Sequence, residues 1–195
     1  LFNGLMNNDS FAQLDFSNLT GAVGGGMAVQ DAVAKKWQQV TGKPLVEGYG
    51  LSETSPVLCC NPLDGTHRLG TIGLPVPSTE VAIFDDAGNQ LPQGERGEIC
   101  ARGPQVMKGY YKNKEATDKV LKDGWFNTGD LGVMTFNRCL KIVGRSKETI
   151  VLLSGENVEP TPIENKLLQS EYIDQCMVLG QDRKFLTAFI VPKLD

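Results

Sequence analysis

Apolar residues recur along the chain in three successive styles. Up to about residue 68, short apolar runs stop at glycine. "NLTGAVGGG" (18–26) predicts a short strand running into three glycines. "MAVQDAVAKKWQQVTG" (27–42) then places Val29, Val33, Trp37 and Val40 at the spacing of one helix face, closing on Gly42 and Pro44. "KPLVEGYG" (43–50) is another apolar run that ends at glycine. Strand, glycine turn, helix, strand is the grammar of an α/β layer, whose sites lie beyond the carboxyl ends of its strands. Both Gly24–Gly26 and Gly48–Gly50 fall at such ends.

After about residue 68 the pattern changes. "TEVAIFDDAGNQL", "ERGEICARG", "DLGVMTF" and "CLKIVGR" are short β-type segments separated by glycine turns, with one helical interlude near 113–122. They predict a small twisted sheet or barrel. A third style begins near 149. "TIVLLSG" predicts a strand, "TPIENKLLQS" a helix with Pro162 near its first turn, and "DQCMVLGQ" and "FLTAFIVP" two more strands. This last unit has only about fifty residues, which is marginal as an independent fold.

A chain of 195 residues with 41% hydrophobic residues can bury a real core. The net charge of −4 is mild and no basic run interleaves with aromatics, which argues against nucleic acid. The longest apolar runs are too short to span a bilayer. The start, "LFNGLMNNDS", does not read as a secretory signal, and without an initiator methionine it is expected to be internal to a longer chain. The five cysteines (Cys59, Cys60, Cys100, Cys139, Cys176) never form Cys-x-x-Cys, and only one histidine, His67, is present. Zinc is disfavoured and a reducing cytoplasm fits best. His67 lies in a loop by composition and reads as a solvated histidine rather than a general base.

Chemistry concentrates in four stretches. In "EGYGLSETSP" (47–56), glycines let a ligand approach the main chain. Tyr49 can offer a ring face to a planar base, a contact worth about 1–3 kcal/mol in nucleic-acid systems. Ser52 can donate to a phosphate oxygen, and Glu53 is a hard oxygen ligand suited to Mg²⁺. Base, phosphate and metal describe a nucleotide; a polar loop with its tyrosine on the core is the competing reading. Gly24–Gly26 before a helix favours anions through backbone amides, yet lacks a phosphate-loop signature and reads equally as a tight turn. "GWFNTGDLG" (124–132) holds Asp130 in a Thr-Gly-Asp turn, able to accept from a ribose diol or to act as a simple turn residue. In "GRSKETI" (144–150), Arg145 could reach ribose or phosphate, and the run could be a hinge or a solvated basic linker.

The order of these stretches is more specific than any one of them. "EGYGLSET", "GTIGLP", "RGEI…RGP…MKGYY", "GWFNTGD" and "GRSKETI…SGENVEPTPIE" together resemble the adenylate-forming superfamily of acyl-CoA synthetases, luciferases and peptide-synthetase adenylation domains. Within it the chain is most similar to long-chain fatty acid–CoA ligases, through "EGYGLSETSPV", "GPQVMKGYY" and "SGENVEP". The resemblance implies an α/β protein in four parts. Residues 1–68 would end an α/β layered, nucleotide-binding subdomain, 69–143 form a distorted β-barrel subdomain, 144–148 a hinge, and 149–195 the first half of a small mobile α+β carboxy-terminal domain. Missing strands would leave open sheet edges that invite association between copies.

The same resemblance implies ATP, Mg²⁺, a fatty acid and coenzyme A as reactants. Gly25, Gly26, Gly48 and Tyr49 would border the adenine, with Tyr49 stacking. Ser52 stands where threonine is usual and would contact the α-phosphate; Glu53 would hold Mg²⁺. Asp130 would hold the ribose hydroxyls with help from Arg145, Lys147 would be the hinge residue, and Gly155 would line the pantetheine path after rotation. Residues near Gly24 and Ser55 to Leu58 would approach the acyl tunnel. Two departures matter. The phosphate loop ending in lysine would precede Leu1, and the catalytic lysine of adenylation would follow Asp195; Lys184 and Lys193 have the wrong neighbours. Without that positive charge the chain alone is expected to be inactive. Alternatives are a non-catalytic nucleotide- or acyl-adenylate-binding module, or an adenylating enzyme with oxygen or a carrier-protein thiol as acceptor. Location is expected to be cytoplasmic, with room for peripheral contact at the inner face of a membrane because long-chain substrates partition there.

Overall fold

The computed structural model describes residues 1–193. Phe2–Met6 form a short helix, α1, and Ala22–Gly24 form strand β1. β1 runs parallel to β2 (Leu45–Gly50), with Ala22 opposite Leu45 and Gly24 opposite Glu47. Helix α2 (Asp31–Thr41) joins them and stops at Gly42, whose φ of 70° only glycine adopts freely. The helix starts at Asp31 rather than Met27 because the chain before it is held elsewhere. The Val29 N–H donates to the Glu47 carboxylate at 2.8 Å, and Gln30 keeps an extended backbone. The apolar face of α2 buries Ala34 and Trp37 against Leu45, with Phe2 edge-on to the indole at 5.1 Å. Burying one such large side chain is worth about 1.5–3 kcal/mol.

β3 (Val57–Cys60) pairs antiparallel with β2, and β4 (Leu74–Pro75) pairs antiparallel with β3. The second sheet contains β5 (Glu80–Phe84), β6 (Arg96–Arg102), β7 (Leu121–Lys122), β8 (Trp125–Met134) and β9 (Leu140–Arg145). β5, β6 and β8 are antiparallel neighbours; the far edge of β8 is shared by β7 at its start and β9 at its end. Helix α3 (Lys114–Val120) precedes β7, and the Asn113 side chain caps it by accepting from Ala116 N–H at 3.0 Å. Leu58 and Cys59 from β3 share one buried cluster with Ile72 and with Ile83, Ile99, Ala101 and Leu140 of the second sheet. A common core therefore fixes the two sheets against each other.

Two expectations change here. Thr128-Gly129-Asp130 is not a turn but lies inside the ten-residue strand β8. The strand absorbs the irregularity as a register shift opposite Glu98 and Cys100, with Gly129 at φ 77° and its N–H on Glu98 Oε1 at 3.0 Å. "TIVLLSG" forms only the two-residue strand β10 (Ile150–Val151), paired with β11 (Asn157–Val158). Leu152–Gly155 closes a tight turn instead, with Gly155 N–H on Leu152 O at 2.8 Å and φ 83°. Helix α4 (Pro160–Leu167) follows, and β12 (Ile173–Leu179) pairs antiparallel with β13 (Thr187–Pro192). The mixed α/β architecture with a curled antiparallel sheet agrees with the fold class expected. Among the described residues no helix is long and apolar enough to cross a membrane.

Candidate nucleotide site

Three distant segments meet at Asp130. Tyr49, near the end of β2, donates its hydroxyl to Asp130 Oδ2 at 2.5 Å. Arg145 stands directly across the ladder from Asp130, with Nε 3.3 Å from Oδ1. The bulge at Gly129 aims the aspartate, since Asp130 N–H returns to Thr128 Oγ1 at 3.1 Å and Thr128 in turn donates to Ile99 O at 2.8 Å. Asp130 is 7% exposed, so its charge is held by the phenol and the guanidinium rather than by bulk water. Burial, and then the neighbouring aspartate, push the Tyr49 hydroxyl well above the usual tyrosine range. Tyr49 is thus a permanent donor at neutral pH.

The glycines of the two loops also come together. A side chain on Gly25 would lie 3.2 Å from Gly48 O, and one on Gly48 would lie 3.0 Å from Val23 Cγ1. Gly26 turns the chain at φ 79°. After Gly50 the chain forms a single 3₁₀ turn, Ser52–Thr54, folded around buried Thr54: Leu51 N–H donates to Thr54 Oγ1 at 3.0 Å. This turn leaves the Ser52 side chain exposed and Glu53 half-buried. Glu53 makes no hydrogen bond to Asp130; its Oε1 accepts from the Tyr110 hydroxyl at 2.8 Å. Lys147 is exposed in a turn two residues beyond Arg145, and the preceding Ser146 donates its N–H to Gly129 O at 3.0 Å. The 145–147 segment is therefore tied to the bulge beside the aspartate.

Two open clefts lie beside this constellation rather than within it. One of about 570 Å³ is lined by Lys108, Tyr110 and the start of α3; another of about 500 Å³ by Arg96, Glu98, Ser146 and Thr149 among others. Neither is lined by Tyr49, Glu53 or Asp130. Sequence reasoning missed Glu47, a carboxylate only 6% exposed. It accepts from Val29 N–H at 2.8 Å and Gly70 N–H at 3.2 Å, clamping the triple-glycine loop and the 65–72 loop to β2. Burial raises its pKa, and the two N–H bonds partly offset that rise. The available signal was a charge inside the apolar run "PLVEGYG". Tyr110 was also missed, because only the fold brings it to Glu53.

Comparisons with known proteins place the chain among related sequences and folds. The chain is 52% identical over 180 residues to the long-chain-fatty-acid–CoA ligase of Yersinia pestis, covering 92% of this chain and 32% of that protein. It is 44% identical over 199 residues to the enzyme of the same name from Haemophilus influenzae, covering 100% of this chain and 35% of that protein. The chain thus spans about a third of the length of the curated relatives it matches. The crystal structure of anthranilate CoA ligase AuaEII in complex with anthranoyl-AMP superimposes with a TM-score of 0.84 at 27% identity, over 98% of this chain and 38% of that one. The model of the AMP-binding enzymes matches residues 1–111 and that of their C-terminal domain matches residues 147–195; the chain belongs to the AMP-binding enzyme family.

Proposed function

We propose that this chain is the nucleotide-binding portion of a long-chain fatty acid–CoA ligase. In the full-length protein a fatty carboxylate attacks the α-phosphorus of ATP, and pyrophosphate leaves. The thiol of coenzyme A then takes the acyl group from the acyl-adenylate, and AMP leaves. One observation carries the reading: Tyr49 and Arg145, from separate segments, converge on the buried carboxylate of Asp130. The names of relatives at 44–52% identity support the substrates.

In this reading the Tyr49 ring stacks on adenine while its hydroxyl holds Asp130, whose carboxylate accepts from the ribose hydroxyls. Gly25, Gly26 and Gly48 let the base approach the backbone. Exposed Ser52 donates to an α-phosphate oxygen. Mg²⁺ binds through one or two carboxylates together with phosphates and waters. Glu53 fits that demand, since its Oε1 is occupied by Tyr110 and among the described residues no hydrogen bond reaches Oε2. When bound, Mg²⁺ neutralises charge on the phosphates during displacement. Lys147 serves as the hinge about which residues 149–195 rotate between the two half-reactions. The protein works in the cytoplasm, with peripheral contact at the inner face of a membrane where long-chain substrates partition.

Pyrophosphate release from ATP, Mg²⁺, palmitate and coenzyme A tests the proposal. The full-length protein is expected to turn over only with both fatty acid and coenzyme A, and the 195-residue chain to stay at background. Rapid turnover by the chain alone, or a full-length protein indifferent to fatty acids, would contradict it.

A further inference from the structure

The turn that carries Glu53 and the start of β3 are gripped by the segment between β6 and α3. Gln105 Nε2 donates to Val57 O at 3.2 Å, Met107 N–H to Glu53 O at 2.7 Å, and the Tyr110 hydroxyl to Glu53 Oε1 at 2.8 Å. Main chain and side chain of the glutamate are both held by one segment. That segment is itself pinned, because Tyr110 N–H donates to Thr117 Oγ1 at 2.9 Å and Thr117 donates onward to Asn113 O at 2.8 Å. Gly109 permits this close approach: at φ 148°, a side chain there would lie 2.8 Å from Thr117 Cγ2. The adjacent Tyr111 points away, 87% exposed beneath the Lys112 ammonium.

Resting on the reading of Glu53 given above, we propose that Tyr110 is a positioning residue for the metal-binding carboxylate. Its hydroxyl fixes Oε1 and leaves Oε2 presented to the divalent cation that accompanies the nucleotide phosphates. A glutamate side chain has three torsions to freeze before it can take a ligand, and a charge-assisted bond freezes them in advance. Tyr110 is itself 36% exposed, which limits its contribution to packing and makes Tyr110→Phe a mild substitution.

Calorimetry on the 195-residue chain tests this, with ATP titrated in saturating Mg²⁺ and AMP titrated in chelator. Water-proton relaxation with Mn²⁺ and ATP reports the metal directly. Tyr110→Phe is expected to weaken Mg²⁺–ATP and Mn²⁺ binding about three- to tenfold, the range for the net contribution of one ordinary hydrogen bond from a partly exposed donor. AMP affinity should stay unchanged, and Tyr111→Phe should change neither. Glu53→Gln should show at least the same loss, with Tyr110→Phe adding nothing in its background. If Glu53→Gln weakens Mg²⁺–ATP while Tyr110→Phe does not, the tyrosine's role is refuted and the glutamate's stands. A loss shared equally with AMP would assign Tyr110 to folding alone and refute the proposal. If Glu53→Gln has no effect, or the wild-type chain takes up no Mg²⁺–ATP, the reading of Glu53 falls and the proposal with it.

Discussion

Tyr49 combines two jobs that a phenylalanine could not. Its hydroxyl fixes Asp130 from across 81 positions of sequence, and its ring remains part of the loop walled by glycine. Glu47, two residues earlier, has a structural task. Its raised pKa means that the folded chain binds its proton more tightly than the unfolded chain. The stabilisation from that proton is complete below the unfolded value of 4.5 and is lost as pH rises through the folded pKa. Glutamine does not titrate. Urea melts from pH 4.5 upward should therefore show wild type losing stability relative to Glu47→Gln as pH rises; a constant or reversed difference would remove Glu47 from its assigned place. The sequence exposed Tyr49, Asp130 and Arg145 because each sits in a short polar motif beside glycine. Glu47 and Tyr110 stayed hidden because their partners, Val29, Gly70 and Glu53, are distant in sequence and contribute backbone groups or already carried another assignment.

At the scale of elements, β8 decides where the aspartate points. A regular strand through 125–134 would alternate faces without interruption, whereas the irregularity at Gly129 turns Asp130 toward Tyr49 and Arg145. A side chain at Gly129 would meet nothing within 4 Å, so Gly129→Ala strains only the backbone. A loss of about 1–2 kcal/mol in unfolding free energy is expected from forcing alanine to positive φ, without a cavity or clash. A neutral alanine would show that the bulge is not rigid. The strand was legible from "DLGVMTF", but Thr-Gly-Asp has the composition of a turn and only pairing on both edges overrides it. Helix α2 shows the same limit: periodicity found its face, while the Glu47 bond to Val29 set where it starts.

Across the whole molecule, an ion pair ties the segment that opens α4 to β6. Glu159 sits at the N-cap position of α4 and is 9% exposed; its carboxylate pairs with Arg96 of β6 and accepts from Thr149 Oγ1 at 2.7 Å. Gly144 is bare where this carboxylate packs, since any side chain there would overlap it. Arg96→Ala strands a buried charge and should cost about 2–4 kcal/mol, discounted because the guanidinium is 40% exposed. Hydrogen exchange should then quicken in 150–178 and stay unchanged in β2 and β3; uniform change would mean that the pair stabilises the whole chain.

The central claim is that separated loops form one AMP site, and calorimetric titration of AMP into the 195-residue chain tests it most directly. Saturable one-to-one binding is expected, lost in both Tyr49→Ala and Asp130→Ala with the fold intact by circular dichroism. Binding that survives both substitutions would place the nucleotide elsewhere and contradict the account.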